Sequence, residues 1–186
     1  MIISITGRLF FGRIFDLGFK SFFMRKYLCL SIFLISFSLA AQTAEEKKNV
    51  LEPVNKLFTG MNLGDSAMVH SAFAKTVSMG TIFTDKSGNP AIRNESSIDG
   101  FLKAVGTPHA EKWSEPIWDT EVQIDGNLAQ VWTNYAFYLG KTFSHCGVDA
   151  FQLFKGTDGK WRIFSLADTR QKEGCKIPEK ISSQFK

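Results

Sequence analysis

The chain has 186 residues, 44% of them hydrophobic and 22% charged. That is a one-domain length with a composition that excludes wholesale disorder and coiled coil. The net charge of +4 lies in residues 1–41, where Arg8, Arg13, Lys20, Arg25 and Lys26 oppose a single acid, Asp16. The rest of the chain is electrically balanced, so a nucleic-acid partner loses its electrostatic support.

Met24-Arg25-Lys26-Tyr27 opens a secretory-signal pattern. The apolar run Leu28 to Leu39 follows, and Ser38-Leu39-Ala40 supplies the small residues for cleavage before Ala41. The run is about 12 residues, short of the roughly 20 that a spanning helix needs. The alternative is an uncleaved anchor. Residues 1–23 precede a signal that is already complete from Met24, which suggests translation from that methionine. Cys29 sits inside the apolar run, not at the cleavage point, and so does not read as a lipid-bearing cysteine. The expected organisation is a leader over 1–41, one domain over 42–175 and a basic, solvated tail over 176–186. The exported product is expected in the periplasm or outside the cell, soluble and without a stable membrane span.

Helical spacing of Val50, Val54, Leu57, Phe58 and Met61 predicts a helix from Ala44 to Gly60, with Gly60 as its stop. Asp65 is a good N-cap for a short second helix carrying Met68, Val69, Ala72 and Phe73. Thr76 to Thr84 has strand composition, and Lys86 to Pro90 is a turn cluster. Asn94 is expected to cap a third helix, Glu95 to Val105, closed by Gly106-Thr107-Pro108. Beyond it the chain reads as sheet. Trp118 to Ile124 alternates into an Asp125-Gly126 turn. Leu128 to Leu139, Phe143 to Phe154 and Trp161 to Thr169 are then three long strands separated by glycine turns. Helices first and a strand meander second is an α+β order.

After cleavage two cysteines remain, Cys146 and Cys175. An even pair in an exported chain suggests a disulfide closing a loop of about 30 residues; the alternative is two separate thiols. Metal-ligand spacing is absent, so no metal is expected. The sequence also lacks a phosphate loop, a Gly-Xaa-Ser-Xaa-Gly elbow, an HExxH helix and a dinucleotide fingerprint. The reading therefore expects no cofactor and argues against common hydrolases, kinases and dehydrogenases.

The order of helix, helix, strand, helix and long antiparallel meander resembles the cone-shaped fold of the nuclear transport factor 2-like superfamily. That superfamily includes SnoaL-like cyclases, ketosteroid isomerases and lumazine-binding-like domains. The resemblance covers about Glu45 to Thr169. Its most specific part is the last hairpin, Ser144 to Phe154 followed by Trp161 to Arg170, which is similar to the closing hairpin of secreted bacterial members with no assigned function. It implies three N-terminal helices packed on a curved antiparallel sheet. It leaves the chemistry open, because a shared fold does not carry a shared site. It also implies a homodimer through the outer sheet face.

A register estimate places side chains together. Pairing Lys155 with Lys160 sets His145 opposite Arg170, Gly147 opposite Asp168 and Asp149 opposite Leu166. The Gly140-Lys141 turn sets Phe137 opposite His145, Tyr135 opposite Gly147 and Thr133 opposite Asp149. One face then carries Tyr135, His145, Asp149, Asp168 and Arg170 at its polar end, a plausible pocket mouth. His145 and Asp149 lie roughly 13 Å apart along one strand and cannot bond. His145 and Asp168 are diagonal neighbours, about 7–8 Å apart between backbones, whose side chains could meet. Trp113 and Trp118, flanking Pro116, are expected at the pocket rim or in edge packing. His70 and His109 read as incidental. The opposite face, with Trp132, Tyr138, Cys146, Phe154, Trp161 and Ile163, is too apolar to face water and needs a cover or a second subunit.

Three functions compete. The first is an exported domain binding a small, partly apolar molecule in a conical pocket. The second is a cofactor-free SnoaL-like isomerase, cyclase or dehydratase using His145, Asp149 and Asp168 as acid–base groups. The third is a structural dimer with a filled interior. Pocket volume separates the third from the other two.

Overall fold

The computed structural model of the protein describes residues 43–95 and 97–186. The expected signal peptide, its start at Met24 and its cleavage before Ala41 lie outside them. Residues 45–186 make one compact unit. Residues 43–63 form helix α1, whose Val50, Val54, Leu57 and Met61 make one buried stripe. Gly60 does not end this helix. The chain stays helical to residue 63, and Gly64, at φ 69°, takes the left-handed stop that favours glycine. Gly60 is instead where the next helix crosses, since a Cβ there would stand 2.7 Å from Val69 Cγ2. That helix, α2 (Ser66–Ala72), is capped as expected by Asp65, whose carboxylate accepts the Met68 N–H at 2.8 Å.

Strand β1 (Phe73–Thr84) turns at Asp85, whose side chain accepts the N–H groups of Ser87 and Asn89. The expected third helix starts late as a result. The turn folds residues 90–95 back as strand β2 (Pro90–Glu95), with Asn94 paired to Gly80 and not capping a helix. Pro90, which lacks an N–H, opens this edge strand, where proline is tolerated. Helix α3 spans Asp99–Gly106. Strands β3 (Trp113–Ser114), β4 (Ile117–Asp125), β5 (Leu128–Leu139), β6 (Thr142–Lys155) and β7 (Trp161–Arg170) follow.

The strands lie in the order β2-β1-β7-β6-β5-β3, with β4 also on β5. Neighbours are antiparallel except β1 and β7, which run parallel, so the sheet is mixed and not wholly antiparallel. The β5–β6 register is the expected one: Thr133 faces Asp149, Tyr135 faces Gly147 and Phe137 faces His145. The β6–β7 register is not. Lys155 pairs with Trp161, and a bulge opposite Gln152 and Leu153 adds a further step, so Asp149 faces Asp168 and Phe151 faces Leu166. Trp161 and Ile163, expected outside, are therefore in the core. Phe164 leaves the core strip and meets Phe154, with ring centroids 6.4 Å apart.

The main core joins α1, α2 and α3 to the inner sheet face through Leu57, Val69, Val105, Phe151, Leu153 and Ile163. Glu46 fastens the start of α1 to the last hairpin, accepting from Lys155 Nζ at 2.8 Å and Trp161 Nε1 at 2.9 Å. On the outer face Ala136, Tyr138 and Cys146 form a second cluster with Cys175, Ile177 and Phe185. The tail is thus folded onto the sheet through its apolar residues, while Lys176, Glu179, Lys180 and Lys186 stay exposed. Ile177 joins this cluster just before helix α4 (Glu179–Ser182), which buries Ile181, and a 3-10 turn over Ser183–Phe185 brings Phe185 to the cluster. Cys146 and Cys175 are joined, with Cα atoms 6.1 Å apart.

Candidate functional site

Between α1, α3 and the inner face of the sheet lies a cavity of about 510 Å³. Its walls are apolar: Phe58 and Met61 from α1, Phe101 from α3, Trp113 from β3, and Phe137 and Phe151 from the sheet. Its floor is polar. Tyr135, His145, Asp149, Asp168 and Arg170 all border it, as the strand alternation predicts, and Trp113 stands at its wall. Trp118 does not border it and packs with the second cluster on the outer face. Pro116 ends β3, and β4 reverses its facing at a bulge beyond Trp118, where Asp119 takes φ 51°.

The floor is one hydrogen-bonded group. Asp168 Oδ1 accepts the Thr81 hydroxyl at 2.7 Å, and its Oδ2 accepts Arg170 Nε at 2.6 Å and the Tyr135 hydroxyl at 3.4 Å. The Tyr135 hydroxyl donates more closely to Thr169 O, at 2.8 Å. Asp168 therefore spends its acceptors on these three residues. His145 meets Ser144 Oγ through Nδ1 at 3.0 Å and packs its ring on Phe137 and Tyr135, at centroid distances of 5.1 and 5.7 Å. The expected His–Asp contact is not among its hydrogen bonds.

Sequence reasoning missed Thr81, the donor to Asp168, and an acid, Glu115. Glu115 borders the cavity from between Trp113 and Pro116. The backbone reason is local. Trp113 and Ser114 pair with Leu139 and Tyr138, pairing resumes at Ile117 with Tyr135, and the Glu115-Pro116 step lies in the gap. Proline holds its predecessor extended, and Asn62 Nδ2 anchors the segment by donating to Ser114 Oγ at 2.8 Å and Trp113 O at 3.2 Å. An acid between two tryptophans and directly before a proline was the available signal.

Electrostatics mark Glu115 and Asp149 as a pair. Asp149 is 3% exposed, and no N–H or hydroxyl group donates to its Oδ2; its neighbour there is the Glu115 carboxyl. Burial pushes the Asp149 carboxyl well above the usual range, and the nearby Glu115 and Asp168 carboxyls push the same way. Burial, with Asp168 next, raises Glu115 to about 8; Arg170 and a side-chain hydrogen bond with Asp149 oppose the rise. Burial and then Asp168 also raise the Tyr135 phenol. Burial lowers His145 to about 4, and Arg170 adds to it, so the imidazole is neutral at pH 7. Such a floor can give a proton or a hydrogen bond from a carboxyl group at neutral pH. Among the described residues no three His, Cys, Asp or Glu side chains converge to hold a metal ion. No helix among them is long and apolar enough to cross a membrane.

No family model matches the chain, and no curated protein matches it. Solved structures do. A nuclear transport factor 2-like protein of unknown function from Shewanella baltica is 18% identical, with TM-score 0.51, covering 70% of this chain and 97% of that one. A protein of unknown function with a cystatin-like fold from Nostoc punctiforme is 13% identical, with TM-score 0.56, covering 70% and 94%. A nuclear transport factor 2-like protein from Novosphingobium aromaticivorans is 11% identical, with TM-score 0.56, covering 82% and 96%. The chain has the fold of the nuclear transport factor 2-like proteins: helices on a curved mixed sheet. Similarity at these identities defines a shape and assigns no chemistry.

Proposed function

We propose that this protein binds a small, partly apolar molecule in the cavity beneath α1 and α3. The observation that carries the reading is the open volume of about 510 Å³ with aromatic walls and a polar floor. Pockets for small ligands commonly combine apolar lining with a few convergent polar groups. A filled interior, which a purely structural role would favour, is at odds with that volume. Native mass spectrometry of the protein purified from its own host tests the reading. The expected result is an extra mass that leaves on denaturation and is absent from Ala104→Phe, which fills the α3 wall. A bare mass together with no binder in a ligand screen overturns it.

A second reading rests on Glu115 and Asp149, whose carboxyls are both raised by burial, that of Glu115 to about 8. They suit cofactor-free acid–base chemistry such as an isomerisation, cyclisation or dehydration. In this reading Asp149 and Glu115 are the working acids, while Asp168 positions Tyr135 and Arg170. A pH–rate profile with an alkaline limb near 8 that is lost in Glu115→Gln is the expected signature.

We also propose export and a homodimer. The joined Cys146 and Cys175 support an oxidising compartment. Trp132, 48% exposed, and Leu128, 51% exposed, leave apolar surface on the strand that would face a second copy. Light scattering of wild type against Trp132→Glu tests the dimer, with a halved mass expected for the variant.

A further inference from the structure

We propose that the molecule taken up by this cavity is an organic cation with an apolar body, its ammonium group seated between Glu115 and Asp149. This rests on reading the cavity as a ligand site and names the chemistry of its occupant.

Charge balance at the floor motivates it. Glu115, Asp149, Asp168 and Arg170 border the floor, and the lining adds one further pair of opposite charges, Arg93 and Glu95 on the edge strand β2. Arg170 is already committed to Asp168 at 2.6 Å, and Thr81 donates to the same carboxylate at 2.7 Å. Asp168 is thereby satisfied, and the cationic charge of the floor is used. Asp149 is left 3% exposed, with no N–H or hydroxyl donor on its Oδ2 and with another carboxyl, Glu115, as its neighbour. A buried carboxyl without a counter-charge is costly, and the cost falls either when it takes a proton or when a cation comes to it. The other groups bordering the floor supply no cation. His145 is uncharged, Tyr135 is a phenol, and Arg93 is exposed on the edge strand β2 beside the acid Glu95.

The walls favour an organic cation. Phe58, Phe101, Trp113 and Phe137 line the same cavity as the carboxyl pair. Aromatic faces bury an apolar body and attract a cation held close to them. Glu115, pushed up to about 8, holds a proton at pH 7, and burial pushes Asp149 the same way, so an arriving ammonium group replaces a proton as counter-charge. Binding then releases protons to the buffer and strengthens as pH rises toward 8, the value to which Glu115 is pushed.

The test is calorimetric titration at pH 7 with matched ligands. 2-Phenylethylamine, tryptamine and 1-naphthylmethylamine are each compared with the alcohol and the carboxylate on the same ring system. The amines are expected to bind at least about tenfold more tightly than their partners. Asp149→Asn and Glu115→Gln should each lower amine affinity by about tenfold and leave the alcohols unchanged. If Asp149→Asn does not fold, Glu115→Gln carries the comparison. Alcohols or carboxylates binding as tightly as the amines overturn the cation assignment and leave the ligand-site reading standing. No binding by any member overturns both.

Discussion

The two faces of strands β5 and β6 are built from alternate residues of the same segments, yet they are finished differently. Outside, Ala136, Tyr138 and Cys146 are covered by the chain's own tail, stapled by Cys175 and closed by Phe185. Inside, Tyr135, Phe137, His145 and Asp149 border open volume. The tail shows that this chain can cover an apolar sheet face when it has residues to spend on it. Across the sheet, the buried Asp149 carboxyl has no N–H or hydroxyl donor on Oδ2 and shares its site with a second carboxyl, Glu115. Crowding carboxyls in a buried site costs a fold stability, because burial and like charge both oppose their ionised forms. A cavity kept at that cost is better understood as a site than as a packing fault.

The contrast breaks most severely at Phe151. This side chain is fully buried where the core meets the cavity and stands edge-on to Phe58, with centroids 6.1 Å apart. Phe151→Ala should destabilise by about 3–5 kcal/mol, read by chemical denaturation, because the cavity beside it leaves little to collapse into the gap. Next comes the staple. Cys175→Ser opens a link between residues 29 apart and should lower stability by about 2–4 kcal/mol. Hydrogen exchange should then show the tail released while the β6–β7 amides stay protected. Loss of protection around the cavity instead would mean the two faces are not independent.

The polar floor predicts a shape for stability against pH. Glu115 has its ordinary value of 4.5 raised to about 8 in the fold. The native state thus keeps a proton that the unfolded chain has released, and this contribution, whole below 4.5, is lost as pH rises through about 8. His145 is lowered from 6.5 to about 4, so its contribution is lost in the other direction, as pH falls from 6.5 through 4. The two windows overlap from 4.5 to 6.5, where the opposing slopes cancel, so stability should be highest there and fall on both sides. Glu115→Gln should flatten the alkaline limb by on the order of 2 kcal/mol, discounted because water reaches part of the side chain. His145→Gln should flatten only the acid limb. Urea titrations at stepped pH read both.

Much of this was legible in the sequence because strand alternation is local. Tyr135, His145 and Asp149 sit on one face in the β5–β6 register that the Gly140-Lys141 turn implies. Legibility failed where one extra residue intervenes. The turn pairing Lys155 with Trp161 carried Trp161 and Ile163 into the core, and the β7 bulge beyond them added the step that brought Asp168 opposite Asp149; a one-residue step exchanges faces, and no pattern in the last strand announces it. Glu115 escaped for a related reason. It lies between two short pairings to β5, outside any run long enough to show a period. Asn94 looked like a helix cap but was drawn into β2 by the Asp85 turn, where pairing to β1 outweighed its local preference. The tail's apolar residues at 177, 181 and 185 were hidden in a short basic segment.

The smallest expected effect isolates the outer cover itself. Phe185 lies flat on Tyr138, with ring centroids 3.8 Å apart and planes 5° from parallel, one residue from the end of the chain. Phe185→Ala removes the stack and leaves the disulfide and Ile181 in place, so the loss should be about 1 kcal/mol. Because the ring covers only the outer face, ligand affinity in the cavity should not change. A variant that weakens binding as much as it weakens the fold would show that the covered face tunes the open one through the strands they share. The separate treatment of the two faces would then give way to a single coupled sheet.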